Sequence, residues 1–204
     1  DETAQSTGKD HHPGSDLDLP ENLCKLGRSA FQNCESIRYI DIPYQVEVID
    51  KKSFAGCVSI NRAKISDSVI SINEEAFSGC IGIQEIIFGK NVSTIANRAF
   101  KDCRSLSNVI FRDNLLTIGV GAFYGCSSIV ELDIPNSVVT IGDSAFSGCT
   151  GLTSINIQNG VTEIGTYAFS DCSSLKKISI PSKRIFPINF LSMNLSFLLL
   201  GLSL

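Results

Sequence analysis

The sequence predicts a repeat solenoid, in which equivalent coils stack on one another along a single axis. A cysteine recurs every 23 residues without one insertion or deletion, at Cys34, Cys57, Cys80, Cys103, Cys126, Cys149 and Cys172. Phenylalanine stands three residues before each of these cysteines, and alanine precedes it in every coil except one, where Ser53 replaces it. A fixed period of about 20–50 residues is typical of solenoids, because each repeat buries its apolar side only against its neighbours.

Each coil begins with the apolar pattern of a short strand. Residues 152–157 read Leu-x-x-Ile-x-Ile, and the alternation at their end indicates a strand with one buried face. Proline follows this pattern at Pro43, Pro135 and Pro181, where it ends the strand and turns the chain. The equivalent segments start at Ile37, Ile60, Ile83, Leu106, Ile129 and Leu175. Stacked in phase, they predict a parallel β-sheet on one face of the solenoid.

A bend and a short turn complete each coil. A second apolar pair, such as Val138 and Ile141, is followed by a residue for which we expect a left-handed backbone. This position holds Gly27, Asp50, Asn73, Ala96, Gly119, Gly142 and Gly165. The Ala-Phe pair is then expected to enter a single helical or 3₁₀ turn on the other face. The residue before each cysteine is Gly, Asn or Asp, which predicts that this turn ends in a left-handed conformation.

The phase of the cysteines favours free thiols over disulfides. Residues at equivalent positions of successive coils point in one direction, about 4.8 Å apart as in a parallel sheet. Disulfides need Cβ atoms closer, at roughly 3.5–4.5 Å, with the two bonds turned toward each other. We therefore expect a ladder of buried thiols that act as small apolar groups. The alternative, a zinc site, conflicts with ligands in a straight column, since zinc requires a tetrahedron. Cys24 lies outside the ladder, either as a cap thiol or paired locally.

Composition argues against several classes of function. The net charge is −4, the isoelectric point is near 5.2, and no segment gathers five or six basic residues, so nucleic-acid binding is not expected. Histidine occurs only as His11 and His12, in a polar tail. An enzyme needs a nucleophile and a base that converge, and the repeats provide no histidine for that role. The sequence thus predicts a protein without catalytic activity, metal or cofactor.

The chain divides into three segments. Residues 1–15 carry no apolar period and are predicted to be a disordered polar tail. Residues 16–181 form the solenoid of about seven coils. Residues 182–204 lose the repeat pattern, and residues 185–204 contain no charge. Three interpretations stay open for this apolar segment: a membrane anchor that would bring the chain to a bilayer, a cap over the last coil, or a truncated or misread gene end.

The outward positions of the predicted sheet are the candidate binding surface. Ile87 and Ile110 occupy neighbouring coils at a position where polar residues are expected, and charged and aromatic side chains flank them. An apolar pair in such surroundings is typical of a protein-binding patch. The alternative is that two isoleucines merely suit a strand and are partly covered. The predicted protein-binding residues are Tyr39, Arg62, Lys64, Glu85, Ile87, Asn108, Ile110, Glu131 and Asp133.

The coil pattern resembles the BspA-like (Treponema pallidum type) leucine-rich repeats. Their coil reads approximately Leu-x-x-Ile-x-Ile-Pro-x-x-Val-x-x-Ile-Gly-x-x-Ala-Phe-x-x-Cys, and the match covers residues 17–181. The resemblance implies a right-handed stack of the leucine-rich-repeat type, with a parallel sheet on one face and short turns on the other. It also implies a binding module at the cell surface or secreted, which mediates adhesion to host or extracellular-matrix proteins. The alternative is an intracellular protein-interaction scaffold in the cytoplasm.

Overall fold

The computed structural model describes residues 17–180. The predicted polar tail at residues 1–15 and the apolar segment at residues 182–204 lie outside the described residues. The interpretations given for them, membrane association through residues 185–204 included, therefore stay predictions. Across residues 17–180, no helix has the length and apolar character that crossing a bilayer requires.

Two short strands come from each complete coil. The thirteen strands of residues 17–180 are β1 (Tyr39–Asp41), β2 (Val48–Ile49), β3 (Arg62–Lys64), β4 (Ser71–Ile72), β5 (Glu85–Ile87), β6 (Thr94–Ile95), β7 (Asn108–Val109), β8 (Thr117–Ile118), β9 (Glu131–Ile134), β10 (Thr140–Ile141), β11 (Ser154–Ile157), β12 (Glu163–Ile164) and β13 (Lys177–Ser179). The odd-numbered strands form what we call the strand face, and the even-numbered strands form the second sheet.

All strand pairing is parallel and in register with the repeat. Ile40 pairs with Ala63, and Ile72 pairs with Ile95, each 23 residues further along the chain. This confirms the predicted solenoid and its period. The second sheet, with the order β12-β10-β8-β6-β4-β2, was not predicted, because its strands are only two residues long. The strand face consists of two groups, β1-β3-β5-β7 and β9-β11-β13, and is interrupted between β7 and β9.

A column of stacked phenylalanine rings fills the core. Successive ring centroids lie 5.2–5.5 Å apart along Phe31, Phe54, Phe77, Phe100, Phe123, Phe146 and Phe169. The middle five rings are fully buried, so each contributes on the order of 1.5–3 kcal/mol by burial. Phe88 and Phe111 add two rings to a neighbouring inner column that holds isoleucine in the other coils, such as Ile65 and Ile134.

The cysteine ladder is a hydrogen-bonded column of free thiols. From Cys57 to Cys172, each Sγ donates to the phenylalanine carbonyl oxygen of the preceding coil, over 2.9–3.3 Å. The ladder cysteines are free, as predicted, and so is Cys24, whose state the sequence left open and which is exposed. Burial raises the pKa of the Cys57 thiol to about 11. This thiol therefore stays protonated at neutral pH and serves as a donor. Among residues 17–180, no group of three or more His, Cys, Asp or Glu side chains is arranged to hold a metal ion.

The Ala-Phe-x-x-Cys segments are hydrogen-bonded turns, and the predicted helical turn is not confirmed. Cys57 N–H donates to the Phe54 carbonyl oxygen at 3.2 Å, which closes a bond between residues three apart. Phe54 N–H, however, donates to Ala76 O of the next coil at 2.8 Å. Because alternate N–H groups bond from coil to coil, they are not available for the bonds of a continuing helix. These turns thus link neighbouring coils as a sheet would.

One of the two predictions of left-handed backbone is confirmed, and the other is wrong. The residue before each cysteine has φ between 58° and 74°, as expected of Gly, Asn and Asp. The residue after the second apolar pair is not left-handed; the left-handed position lies two residues later, for example at Lys52 with φ 59° and Tyr167 with φ 59°. A different constraint explains Gly142: a Cβ there would lie 2.7 Å from the carbonyl carbon of Gly119 in the preceding coil.

Candidate binding surface

The structure brings all nine predicted binding residues onto the strand face. Eight of them lie in β1, β3, β5, β7 and β9, and Ile110 directly follows β7. Within these strands, buried residues such as Ile40 and Leu132 alternate with outward-facing ones. The outward residues differ along the solenoid axis, however, and form three zones: a charged N-terminal zone, an apolar central zone and an acidic C-terminal zone.

The charges of the N-terminal zone neutralise one another across coils. Lys64 Nζ lies 3.0 Å from Asp41 Oδ2, and Arg62 Nε lies 2.9 Å from Glu85 Oε2. The hydrogen bond to Asp41 is the main cause that raises the pKa of Lys64. Burial, followed by the charge of Asp41, raises the pKa of the Tyr39 phenol. Such partly exposed pairs stabilise a fold by about 0–1 kcal/mol each. They leave this zone with little net charge to offer a partner.

The central zone exposes aliphatic side chains. Ile110 is 56% exposed and Val130 is 49% exposed, whereas Ile87 is half-buried. The sequence analysis missed Val130. The equivalent position in the other described coils holds Arg38, Asn61, Gln84, Ser107, Thr153 and Lys176. Comparison of this column across the repeats would have identified valine as its one aliphatic member.

The interruption of the strand face coincides with this central zone. Val109 and Phe111, which point into the core, are 9% and 8% exposed, compared with 3% and 4% for Ile86 and Leu132 in the coils on either side. On the second sheet the same coils stay paired, since β8 pairs with both β6 and β10. Neighbouring coils thus separate only on the strand face. We call the place where they separate the opening; it is formed by Val109, Ile110, Phe111 and Val130.

Large aromatic side chains lie in the core beside the opening. Phe88 and Phe111 lie with ring centroids 6.0 Å apart, wider than the spacing of the main phenylalanine column. The Phe111 ring also packs edge-on against Phe123, with 5.6 Å between centroids. The coils that hold Phe88 and Phe111 stay paired through β5 and β7. The opening therefore coincides with the next step of this column, from Phe111 to Ile134.

The C-terminal zone carries carboxylates that are not paired with cations. Within residues 17–180, no lysine or arginine nitrogen lies within 4.0 Å of the Glu131 or Asp133 carboxylate. Asp133 Oδ1 accepts hydrogen bonds from Asn156 Nδ2 at 2.9 Å and Gln158 Nε2 at 3.4 Å. These neutral amide donors hold the carboxylate in place but do not neutralise its negative charge. Both acidic residues are exposed, so a negative potential lies directly beside the opening.

The second sheet carries another exposed aliphatic column, which the sequence analysis did not single out. Ile70, Leu116 and Val139 occupy equivalent positions and are 44–48% exposed, with Ser93 between the first two. The residues that follow them in the strands are hydroxyl-bearing, such as Thr117. On the central coils the strand residues beside this column, Thr94, Thr117 and Thr140, carry no charge, which distinguishes it from the strand face.

Comparison with known proteins agrees with this architecture. The family model for the BspA type leucine rich repeat region matches residues 11–128 and 93–198, in six copies. A leucine-rich repeat protein from Bacteroides ovatus is 32% identical, with a TM-score of 0.71; the match covers 76% of this chain and 40% of that protein. The leucine rich repeat protein of T. pallidum is 26% identical, with a TM-score of 0.56, over 67% of this chain and 77% of that one.

These matches extend over most of the chain, although the chain spans less than half the length of the Bacteroides ovatus protein. No curated protein sequence matches it. The six family copies together cover the residues that carry the phenylalanine and cysteine columns of the structure. The chain belongs to the BspA-type leucine-rich repeat family.

Proposed function

We propose that this chain is a non-enzymatic protein-binding module that uses the strand face, with the opening as its centre. Leucine-rich repeat proteins generally act as protein-interaction modules, and the chain has their fold. The observation that supports this surface is the exposure of Ile110 and Val130 beside an interrupted sheet. Exposed aliphatic side chains surrounded by polar ones are typical of the centre of a protein interface.

The rigidity of the coils suits such a role. Backbone hydrogen bonds such as Phe77 N–H to Ala99 O, at 2.8 Å, join each turn to the next coil, and stacked rings join the coils through the core. A partner that binds a rigid surface does not have to order it, so less of the interaction free energy is lost to conformational entropy. The mechanism is the presentation of a preformed surface.

We further propose that the module acts at the cell surface or after secretion, in adhesion to host or extracellular-matrix proteins. The resemblance of the coils to a family of mostly surface and secreted proteins supports this location. The alternative is an intracellular scaffold. The free cysteines of the described residues favour neither location, because equivalent thiols of a straight column stay unpaired in either compartment.

Binding to purified matrix proteins tests the surface. Wild type, Ile110→Ser/Val130→Ser and the control Leu116→Ser/Val139→Ser would be passed over immobilised fibronectin, laminin and collagen. The control removes two aliphatic side chains of similar exposure from the second sheet. We expect at least about tenfold weaker binding for the first double variant only, since about 1.4 kcal/mol of interface energy corresponds to tenfold. Equal binding by all three proteins, with equal thermal stability, would contradict the proposed surface.

The half-buried Ile87 is tested separately. The sequence analysis proposed it as an anchor together with Ile110, and Ile87→Thr preserves the branched shape that suits a strand. Weaker matrix binding by this variant, at unchanged stability, would support Ile87 as part of the surface.

Antibody labelling of intact and permeabilised cells separates the two locations. Labelling of intact cells is the expected result. Labelling only after permeabilisation would contradict the adhesion role and leave the intracellular scaffold.

A further inference from the structure

We infer that the partner of the strand face is a cationic, extended protein segment, in which a lysine or arginine and an aliphatic side chain stand two residues apart and so share one face. The aliphatic groups contact the opening, and the cations contact Glu131 and Asp133. This inference rests on the proposed function, because it names the chemical class of the partner for the same surface.

The distribution of charge along the strand face supports a cationic partner. In the N-terminal zone, Asp41 and Glu85 already have Lys64 and Arg62 as partners. In the C-terminal zone, the nearest lysine of the same outward column as Glu131 is Lys177, two coils away. At about 4.8 Å per coil, that is roughly 10 Å, about one Debye length at physiological ionic strength. The charge of Glu131 is thus not cancelled by the neighbouring coils.

The arginine closest in sequence to the opening does not supply a cation either. Arg112 Nε donates to the Phe88 carbonyl oxygen, at 3.3 Å, in the preceding coil. Hydrogen bonds from Lys90 are the main cause that lowers the pKa of the Asp67 carboxylate, two coils toward the N-terminus, and the positive charge of Arg112 adds to that effect. The guanidinium is therefore turned away from Asp133, which lies in the following coil.

The apolar and acidic groups are close enough to contact one short segment. Glu131 directly follows Val130, and Asp133 occupies the outward position of the coil after Ile110. Ile110 and Asp133 face each other across the opening, where the spacing of about 4.8 Å between paired coils is lost, and alternate residues of a strand are about 6.6 Å apart. An extended partner has side chains at this same spacing, so a cation and an aliphatic group two residues apart can reach a carboxylate and the opening together.

The second sheet does not offer this combination. Its aliphatic column at Leu116 and Val139 is flanked by Thr117 and Thr140, which carry no charge. It therefore has no charge complementarity with a cationic segment. Substitutions on that sheet serve as matched controls.

Three synthetic octapeptides test the inference. They repeat Lys-Ser-Leu-Ser (the lysine–leucine peptide), Glu-Ser-Leu-Ser (the glutamate–leucine peptide) and Lys-Ser-Ser-Ser, so that the charged residue and the leucine share one face of an extended chain. Their affinity for the chain is measured by isothermal titration at low and at physiological salt. We expect the lysine–leucine peptide to bind most tightly, by about tenfold or more over the other two, because only it satisfies both the carboxylates and the opening. Tighter or equal binding of the glutamate–leucine peptide would overturn the inference.

Matched carboxamide variants separate local from overall charge. Glu131→Gln/Asp133→Asn should weaken the lysine–leucine peptide about tenfold, whereas Glu47→Gln/Glu163→Gln, which changes the net charge equally at two exposed carboxylates in or directly before strands of the second sheet, should change affinity less than about twofold. The carboxamide introduced by Asp133→Asn would keep an oxygen for the amide donors of its neighbours, and equal melting temperatures would show that the fold is intact. Equal losses for both pairs would show attraction by overall charge and overturn the inference.

The matrix-protein assay distinguishes this failure from failure of the proposed function. If binding to matrix proteins needs Ile110 and Val130 but is unaffected by Glu131→Gln/Asp133→Asn, the partner class is wrong and the binding surface stands. If Ile110→Ser/Val130→Ser leaves the binding of both peptide and matrix proteins unchanged, the surface itself is wrong.

Discussion

Replacement of Phe100 by alanine should destabilise the solenoid much more than the same replacement at Phe31. Phe100 is fully buried, stacks on Phe77 and Phe123 at 5.3 and 5.2 Å between centroids, and receives the edge of Phe88 at 5.7 Å. Phe31 is half-buried, and Phe54 is its ring partner at 5.4 Å within the described residues. A middle ring thus loses partners on both sides, and a terminal ring on one.

The expected free energies of unfolding follow from burial and ring contacts. Fully buried Phe-to-Ala changes cost about 3–5 kcal/mol, and each aromatic pair accounts for about 0.5–1.5 kcal/mol. With three ring partners, Phe100→Ala should fall near the upper end, at about 4–5 kcal/mol. For Phe31→Ala we expect a loss of about 2 kcal/mol in the free energy of unfolding, because Phe31 is half-buried and has one ring partner. The difference is large compared with the total stability of about 5–15 kcal/mol that is typical of a domain.

Urea unfolding followed by circular dichroism measures both values. Phe100→Leu serves as a control, because it retains most of the apolar volume and should cost about 1–1.5 kcal/mol. A decrease in the m-value for the Phe31 variant would show that the terminal coil unfolds separately from the rest. Equal costs for Phe100→Ala and Phe31→Ala at equal m-values would refute the argument that stability depends on neighbours on both sides.

Three further predictions concern the ladder and the close contacts between coils. Raising the pH above about 9 should lower the urea midpoint, because burial raises the pKa of Cys57 to about 11 and of Cys172 to about 12, whereas unfolded thiols ionise near about 8.5. The native state then binds more protons than the unfolded state, so each thiol lowers the free energy of unfolding by about 1.4 kcal/mol per pH unit between its unfolded and its folded pKa. A constant urea midpoint from about pH 8 to about 10.5 would contradict this. Gly142→Ala should cost about 1–3 kcal/mol in thermal unfolding, because its Cβ would lie 2.7 Å from the preceding backbone, whereas Gly27→Ala, with nothing within 4 Å, should be nearly neutral. A thiol reagent should label the exposed Cys24 of the native protein well before the buried ladder, as peptide mapping would show; equal rates would be inconsistent with a closed core.

The repeat period allowed much of the fold to be predicted. Equivalent residues 23 apart pair in the sheets, and Gly, Asn or Asp before each cysteine marks a left-handed residue. These features are local or strictly periodic, so the residue types found at one position of the repeat reveal them. The second left-handed position was missed because it holds residues as different as Lys52 and Tyr167. There the conformation is imposed by hydrogen bonds between coils, such as Lys52 N–H to Glu74 O at 3.1 Å, and side-chain identity carries no signal.

The candidate surface was predictable in part. Outward positions such as Ile110 follow from the alternation of a strand, and the sequence identified them. Whether an outward aliphatic residue is exposed depends on its neighbours, and Ile87 proved half-buried while Ile110 did not. The ion pairs that neutralise Arg62 and Lys64 likewise depend on which side chains face one another across coils.

The sequence by itself thus determined the solenoid, its period and the inward or outward orientation of residues on the strand face, because these depend on a repeat that one coil already contains. Only the tertiary structure decided where the strand face opens and which carboxylates keep their charge. The opening lies between β7 and β9, where the inner column changes from Phe111 to Ile134, and the carboxylates keep their charge because no cation of residues 17–180 pairs with them. Both features depend on contacts between coils, so no single repeat reveals them.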